Sequence, residues 1–139
     1  MPDRVLIIDD DPILRHMVRS FLEIAAYEAL EAGDGPDGLA QAAHRHPDII
    51  LLDLMMPGMD GYETCRGLKG NPTTAAIPVI FVTASADPAL NRRAYAAGAV
   101  ACIPKPFRRE ALLATINLAR KQAHRHSGQG TPPKAAARG

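Results

Sequence analysis

The sequence predicts an α/β fold, a doubly wound parallel sheet of five strands with helices on both faces. Three observations support this prediction. Five short aliphatic runs alternate with five segments whose apolar residues recur at helical spacing. Several of these runs are unbroken, which is typical of strands buried on both faces. Gly, Pro or Asp residues lie at most junctions, where the chain has to turn.

The first two strand-helix units occupy the N-terminal part of the chain. Residues 5–8, Val-Leu-Ile-Ile, form the first predicted strand. Asp11 is a suitable N-cap and Pro12 suits the first position of a helix, so the first helix is predicted to start there. Residues 27–32 form a weaker second strand. The Gly-Asp-Gly-Pro sequence at residues 33–36 ends it and starts the second helix.

The third unit contains the most informative stretch of the chain. Residues 49–52, Ile-Ile-Leu-Leu, run directly into Asp53 and then into a loop rich in Gly and Pro. Asp60 and Glu63 have the spacing of a capping box, in which each side chain bonds the backbone amide of the other residue. The third helix is therefore predicted to start here and to end near Lys69.

The last two units follow the same pattern. The fourth strand is predicted at residues 77–82 and ends in Thr83, and the fourth helix extends from Asp87-Pro88 to about residue 97. The fifth strand is predicted at residues 100–103, and the fifth helix from residue 107 to about residue 123. Residues 124–139 lack apolar periodicity. The prediction is therefore one domain over residues 1–123 with a disordered tail.

Composition excludes several classes of protein. The chain has 139 residues, 47% of them hydrophobic, and a net charge of +1, which is typical of a soluble globular domain. No apolar run approaches the roughly 20 residues of a membrane span, and no secretory signal is evident. Cys65 and Cys102 lack the spacing of a disulfide framework or a zinc site. These features predict a cytoplasmic protein without nucleic-acid or membrane partners.

Polar residues follow four of the five predicted strands. Asp9 and Asp10 follow the first strand, Asp53 the third, Thr83 the fourth and Lys105 the fifth. The carboxyl ends of parallel strands meet at one edge of the sheet, where α/β proteins bind ligands. These five residues are therefore predicted to form one site. The alternative is that they are solvated strand ends without a shared role.

The residue types in this site indicate phosphoryl chemistry. Carboxylates about 4 Å apart repel each other by roughly 1 to 4 kcal/mol per pair. Mg²⁺ relieves such repulsion, and the lack of His and Cys argues against zinc. Thr83 and Lys105 provide a hydroxyl donor and a positive charge for a phosphoryl group. A carboxylate can itself accept a phosphoryl group, and Asp53 is the best placed acceptor.

Taken together, these motifs resemble the receiver domain of two-component response regulators. The resemblance extends from Val5 to about Arg120. It includes the acidic pair at residues 9–10, the D-L-M-M-P-G-M-D-G stretch from Asp53, the Thr-Ala pair at residues 83–84, and the Lys-Pro-Phe sequence at residues 105–107. The resemblance implies a flavodoxin-like strand order of 2-1-3-4-5, which chemotaxis receivers share.

The resemblance also implies partners and a catalytic role for three residues. Asp53 is expected to accept a phosphoryl group from a phosphohistidine on a sensor histidine kinase or a histidine phosphotransfer protein. Thr83 is expected to reach the bound phosphoryl group and Lys105 to pair with it. The Lys105-Pro106 peptide is expected to be cis. The chain is then a signalling switch, and its only catalysis is its own phosphorylation and dephosphorylation.

A magnesium site is implied by the same resemblance. Asp10, Asp53 and the backbone carbonyl of Met55 are expected to ligate Mg²⁺, and Asp9 is expected to act mainly through water. Phosphorylation would then change the binding of a downstream protein target through the fourth helix, fifth strand and fifth helix. The protein is expected to be a monomer or a phosphorylation-linked dimer.

Two features depart from the family pattern. Cys102 occupies the position, three residues before the lysine, where the family usually has Tyr or Phe. Arg108 and Arg109 open the fifth helix, where cations oppose the helix dipole. These two arginines could form a partner surface with Arg92 and Arg93, or all four could be solvated charges.

Alternative functions follow from the same residues. Because Cys102 replaces the aromatic residue, the chain could be an interaction module of receiver fold that does not depend on phosphorylation. It could also be a phosphohydrolase with an aspartate nucleophile, but that chemistry places D-x-D-x-T on the first strand, where this chain has D-D-D-P. The chain could also be a fragment of a longer regulator.

Overall fold

The computed structural model describes residues 3–84 and 87–129, with side chains up to residue 123. It contains one sheet of five parallel strands in the order β2-β1-β3-β4-β5. The predicted fold class and strand order are thus confirmed. The strands are β1 (Arg4–Ile8), β2 (Glu28–Ala32), β3 (Ile49–Asp53), β4 (Val79–Thr83) and β5 (Ala101–Pro104), and the helices are α1 (Pro12–Ile24), α2 (Gly35–Arg45), α3 (Gly61–Lys69), α4 (Pro88–Ala96) and α5 (Arg109–Gln129).

Each face of the sheet has its own apolar core. On one face, Leu52 and Phe81 pack with Leu68 beneath helices α2, α3 and α4. On the other face, Ile80 packs with Leu112 beneath helices α1 and α5. Every residue of β3 is buried, because this strand lies in the centre of the sheet. The unbroken aliphatic run before Asp53 is explained by this burial on both faces.

The helix starts agree with the capping signals in the sequence. Asp11 caps α1 by accepting a hydrogen bond from the Ile13 amide, and Asp87 caps α4 in the same manner. Asp34 caps α2. Asp60 and Glu63 form both hydrogen bonds of the predicted capping box at α3. Strand bounds differ from the prediction by one or two residues, as for β4, which includes Thr83.

The fifth helix differs from the prediction at both ends. It starts at Arg109 instead of residue 107, and it continues to Gln129 instead of ending near residue 123. Residues 124–129 of the predicted disordered tail are therefore helical. The helix is not interrupted earlier because Gly128 is its first glycine and it contains no proline. The rest of the predicted tail, residues 130–139, lies outside the described residues. Among the described helices, none combines the length and the apolar character of a membrane span.

An ion-pair network joins α1 to the edge strand β2. Glu31 accepts hydrogen bonds from Arg15 at 2.9 Å and from Arg19 at 2.6 Å. Arg15 also donates to the backbone carbonyl of Asp9 at 2.6 Å. Burial disfavours the charged form of Glu31, but the two arginines outweigh burial and hold the pKa of Glu31 below its ordinary value of 4.5. The network thus positions the chain just after β1.

This network predicts a pH-dependent loss of stability. We expect Glu31→Gln to lower the free energy of unfolding by about 1 kcal/mol at pH 7. Because the pKa of Glu31 is lowered on folding, its charge stabilises the protein above 4.5, and this contribution is lost as the pH falls through the folded value. Urea unfolding at several pH values measures the difference. Glu23→Gln is the control, since the Glu23 side chain is more exposed and, among the described residues, forms an ion pair with Arg19 alone. An equal loss in both variants contradicts the prediction.

Candidate functional site

The polar residues that follow the strands lie at one edge of the sheet. Asp53 and Thr83 end β3 and β4, and Asp9 and Lys105 directly follow β1 and β5. Asp9, Asp53 and Thr83 are buried, Lys105 is partly buried and Asp10 is exposed. Thr83 lies one register position beyond the β4 residue opposite Asp53, and its carbonyl accepts a hydrogen bond from the Lys105 amide at 2.7 Å. The structure therefore brings the predicted residues to a common edge.

Three carboxylates and one ammonium group form the centre of this site. Carboxylate oxygens of Asp9, Asp10 and Asp53 all lie within 4.8 Å of one another. The Nζ atom of Lys105 is 3.3 Å from Asp9 Oδ2 and 3.3 Å from Asp53 Oδ1. One cation thus lies between two buried anions while a third anion is close by. This arrangement leaves an excess of negative charge, which a hard divalent cation with oxygen ligands would balance.

The electrostatics of Asp53 reflect this excess of negative charge. Burial and the nearby Asp9 carboxylate raise the pKa of Asp53 from 3.8 to about 6. Lys105 and the backbone amide of Met55 act in the opposite direction, but they do not cancel the rise. In the absence of a metal ion, the site therefore disfavours the ionised form of the Asp53 carboxyl group.

The loop after Asp53 is fixed by short backbone contacts. The Met55 amide is 3.4 Å from Asp53 Oδ1, and the Met55 side chain is 69% exposed. The Gly61 amide donates to the Leu54 carbonyl at 2.9 Å. A Cβ atom at Gly61 would lie 2.5 Å from the backbone oxygen of Asp53. The loop can close only because residue 61 has no side chain, and the metal-ligating role of the Met55 carbonyl stays a prediction.

The loop after β1 is held by Arg15, a residue that the sequence did not single out. Asp9 Oδ1 accepts a hydrogen bond from the Asp11 amide at 2.9 Å, and the Asp9 amide donates to Ala32 at 3.1 Å. Arg15 binds the Asp9 carbonyl and Glu31 together. No local signal could have indicated this role, because Glu31 approaches Arg15 only through the pairing of β1 with β2.

Cys102 on β5 has an aromatic neighbour from a different element. The hydroxyl group of Tyr95, on α4, interacts with the Cys102 thiol and with the Cys102 backbone. Burial raises the pKa of the Cys102 thiol, so the thiol stays protonated at neutral pH. Cys102 thus puts a small side chain at the position where the family usually has an aromatic ring, and Tyr95 lies beside it. The half-exposed ring of Tyr95 belongs to α4 rather than to β5.

Comparison with known proteins agrees with this geometry. A family model described as the response regulator receiver domain matches residues 5–117. Among solved structures, the chemotaxis protein CheY4 of Vibrio cholerae superposes with a TM-score of 0.82 and 32% identity, over 86% of this chain and 99% of CheY4. A CheY-like receiver domain protein of Methanospirillum hungatei gives 0.83 and 28% identity, over 91% of this chain and 99% of that chain.

Curated relatives differ in how much of their length is matched. Protein PilH of Pseudomonas aeruginosa is 38% identical over 82% of this chain and 94% of its own length. RpaA of Synechocystis, named as a DNA-binding dual master transcriptional regulator, is 41% identical over 81% of this chain. This chain spans only 47% of RpaA, and only 18% of the response regulator PleD of Caulobacter vibrioides. The similarity to RpaA and PleD is therefore limited to part of those proteins.

Proposed function

The chain belongs to the response regulator receiver family, and we propose that it accepts a phosphoryl group on Asp53 within a two-component phosphorelay. Receiver domains are signalling modules that interact with histidine kinases and with downstream targets, and they are generally not enzymes. They bind Mg²⁺ at an acidic pocket, and this chain has such an aspartate cluster. The proposal concerns what this particular pocket does.

One observation carries the proposal. The buried carboxylate of Asp53 ends the central strand. Lys105 Nζ lies 3.3 Å from it, and oxygens of Asp9 and Asp10 lie within 4.8 Å. An unpaired buried carboxylate would simply protonate. A carboxylate that is buried, paired with an ammonium group and crowded by other anions suits a phosphoryl acceptor whose excess of negative charge a bound metal cation would balance.

The proposed reaction is a phosphoryl transfer between two side chains. An oxygen of Asp53 forms a bond to phosphorus as the phosphorus–nitrogen bond of the donor phosphohistidine breaks, and the released imidazole takes up a proton. Lys105 pairs with an oxygen of the transferred group, and the Thr83 hydroxyl donates to another. The half-buried position of Lys105 keeps its ammonium group directed at the acceptor.

The same pocket suits a magnesium ion. Carboxylates of Asp9, Asp10 and Asp53 provide oxygen donors without His or Cys, which is the ligand chemistry that Mg²⁺ prefers. We assign Asp10, Asp53 and the Met55 carbonyl as direct ligands and Asp9 as a ligand through water. When bound, the ion neutralises negative charge on the phosphoryl oxygens.

The output is proposed to pass through the surface formed by α4, β5 and α5. Phosphorylation shifts the population between two arrangements of this surface, and a downstream protein binds one of them more tightly. Cys102 replaces the ring that is usual in the family at this position of β5. We therefore propose that α4 responds to phosphorylation through the contact between Tyr95 and Cys102.

Acetyl phosphate tests the proposal directly. With Mg²⁺, intact-protein mass spectrometry is expected to show one added phosphoryl group, and peptide mapping is expected to locate it at Asp53. Excess EDTA should prevent the addition. Beryllofluoride, a phosphoryl mimic, should bind under the same conditions. Uptake that is indifferent to EDTA, or label located away from Asp53, would contradict the proposal.

A second candidate function is favoured by Cys102. An interaction module of receiver fold that ignores phosphorylation needs no ring at this position, and the chain has none there. This candidate predicts that a captured downstream partner binds equally well with and without beryllofluoride. A difference in affinity between the two conditions would favour the phosphorylation-dependent switch.

A further inference from the structure

A groove between α3 and α4 has no part in the phosphoryl chemistry described above. Its volume is about 460 Å³, and it is lined by Tyr62, Arg66, Lys69, Arg93, Ala96 and Ala97. Both helices start at the edge of the sheet that carries Asp53, whereas the groove lies largely beside their C-terminal turns. It is therefore separate from the acidic site.

The groove is unusual in the charges that line it. Six arginines of the described residues pair with carboxylates, namely Arg4, Arg15, Arg19, Arg45, Arg109 and Arg120. Arg66 and Arg93 are exposed and have no carboxylate partner within the described part of the chain, as is also true of Arg92 and Arg108, but only Arg66 and Arg93 line this groove. Two guanidinium groups without a carboxylate partner among the described residues thus line a common groove.

Arg93 contacts a side chain of the neighbouring helix α3. The guanidinium carbon of Arg93 lies 3.9 Å from the centre of the Tyr62 ring, so Arg93 packs against α3. At the start of α5, Arg109 pairs with Glu110 at 3.5 Å. The partner surface formed by Arg92, Arg93, Arg108 and Arg109 stays a prediction.

The walls of the groove are firmly held. The Tyr62 ring is buried, its hydroxyl donates to the Leu90 carbonyl at 3.0 Å, and it makes an edge contact with Phe81. Lys69 donates to the carbonyls of Ala75 at 3.0 Å and Ile77 at 2.8 Å. The stacked Arg93 guanidinium is thus fixed against a rigid ring while its N–H groups have no carboxylate to bind. Such preorganised donors lower the cost of binding a ligand.

We propose that this groove binds an acidic segment of a partner protein, with carboxylates of the segment paired to Arg66 and Arg93. Arginine binds carboxylates through two parallel hydrogen bonds. The Tyr62 ring and the small side chains of Ala96 and Ala97 give the floor an apolar character suited to a peptide backbone. Compact phosphate groups favour helix N-termini, but this groove lies beside the C-terminal turns of α3 and α4, where backbone carbonyls accumulate. Arg66 lies on α3 and Arg93 on α4, so two carboxylates spaced along one segment can each pair with one guanidinium group.

This inference goes beyond phosphoryl acceptance, because it does not depend on Asp53. The probe for its test is fluorescein-labelled hexaglutamate, titrated with the full chain at low ionic strength and followed by anisotropy. The wild-type protein is expected to bind it. Arg66→Gln combined with Arg93→Gln is expected to weaken binding by about tenfold or more, as for the loss of charge-assisted hydrogen bonds. Phosphoryl uptake from acetyl phosphate is expected to be unchanged, so the two proposals can fail separately.

A matched control removes the same charge elsewhere. Arg92→Gln combined with Arg108→Gln replaces two exposed arginines that do not line the groove. The control is expected to bind hexaglutamate almost as well as the wild type, and thermal unfolding checks that both variants are folded. Equal weakening in both double variants, or no binding by the wild type, overturns the proposal. The proposal is also overturned if inorganic pyrophosphate displaces the labelled peptide as effectively as unlabelled hexaglutamate does, since the groove would then be a phosphate site.

Discussion

The variant Asp53→Asn is expected to lose all phosphoryl uptake and yet to be more stable than the wild type in magnesium-free buffer. Uptake is lost because an amide oxygen is too poor a nucleophile to form the bond to phosphorus. Stability rises because burial and Asp9 make the charge of Asp53 unfavourable, as its pKa of about 6 shows. An amide keeps the shape of the side chain and removes that charge.

The gain in stability should depend on pH. The pKa of Asp53 rises from 3.8 to about 6 on folding, which corresponds to roughly 3 kcal/mol once the group is fully ionised. Since a raised pKa favours the protonated folded state, the penalty is complete above the folded value and disappears as the pH falls toward 3.8. The variant should therefore exceed the wild type most clearly near pH 8, and the two should converge in acid.

Chemical unfolding in EDTA across this pH range measures the difference, and acetyl phosphate measures uptake. Asp10→Asn is the control for stability, because Asp10 is the exposed member of the cluster and its charge is solvated. We expect a much smaller gain there. If the Asp53→Asn variant takes up as much phosphoryl label as the wild type, the acceptor is a different residue.

Replacing Gly61 by alanine should have the largest effect on folding among single substitutions near the site. The added Cβ would lie 2.5 Å from the Asp53 carbonyl oxygen and 2.7 Å from the Leu54 Cα, both of which are backbone atoms. Neither can rotate away as a side chain could, so the start of α3 has to move. We expect a loss of about 3 kcal/mol in the free energy of unfolding, together with slower phosphoryl uptake.

Alanine substitutions at two other glycines distinguish the steric clash at Gly61 from the general loss of stability on replacing a glycine. Gly33→Ala meets only a side-chain atom of Arg15 at 3.6 Å, so its stability should be close to that of the wild type. Gly58 has a φ of +75° but open space around it, so Gly58→Ala should lose only about 1 kcal/mol through backbone strain. Thermal and urea unfolding should find Gly33→Ala the most stable of the three variants, Gly58→Ala less stable and Gly61→Ala the least stable. A Gly61→Ala variant as stable as Gly33→Ala contradicts the packing argument.

The sequence was sufficient for the features that depend on local signals. The aliphatic run before Asp53 predicted a buried strand, and the Asp60 and Glu63 pair predicted a helix start, because both patterns involve neighbouring residues. Strand ends were also predictable, since a polar residue after an aliphatic run marks the point where the chain leaves the core. From these, the shared edge that carries Asp9 and Lys105 followed from the geometry of parallel strands alone.

Contacts between elements distant in sequence could not be predicted in the same manner. The position of Arg93 depends on how α4 packs beside α3, which places its guanidinium over the Tyr62 ring. The interaction of Tyr95 with Cys102 similarly requires the position of α4 relative to β5. The steric reason for Gly61 became visible only when the Asp53 carbonyl was located beside it. In each case the deciding information is a distance across the fold.

Helices α3 and α4, on the same face of the sheet, are held in place by different kinds of contact. At its start, α3 packs closely on the backbone of Asp53 and Leu54 through Gly61, which leaves it little room to move toward β3. By contrast, the described contacts that fasten the middle of α4 include exchangeable side-chain interactions, among them those of Tyr62 and Tyr95. Such interactions can break and re-form on the microsecond scale of helix shifts, whereas the close backbone packing at Gly61 gives the start of α3 little freedom to move. Deformation caused by new charge on Asp53 should therefore concentrate in α4, with α3 acting as its stationary reference.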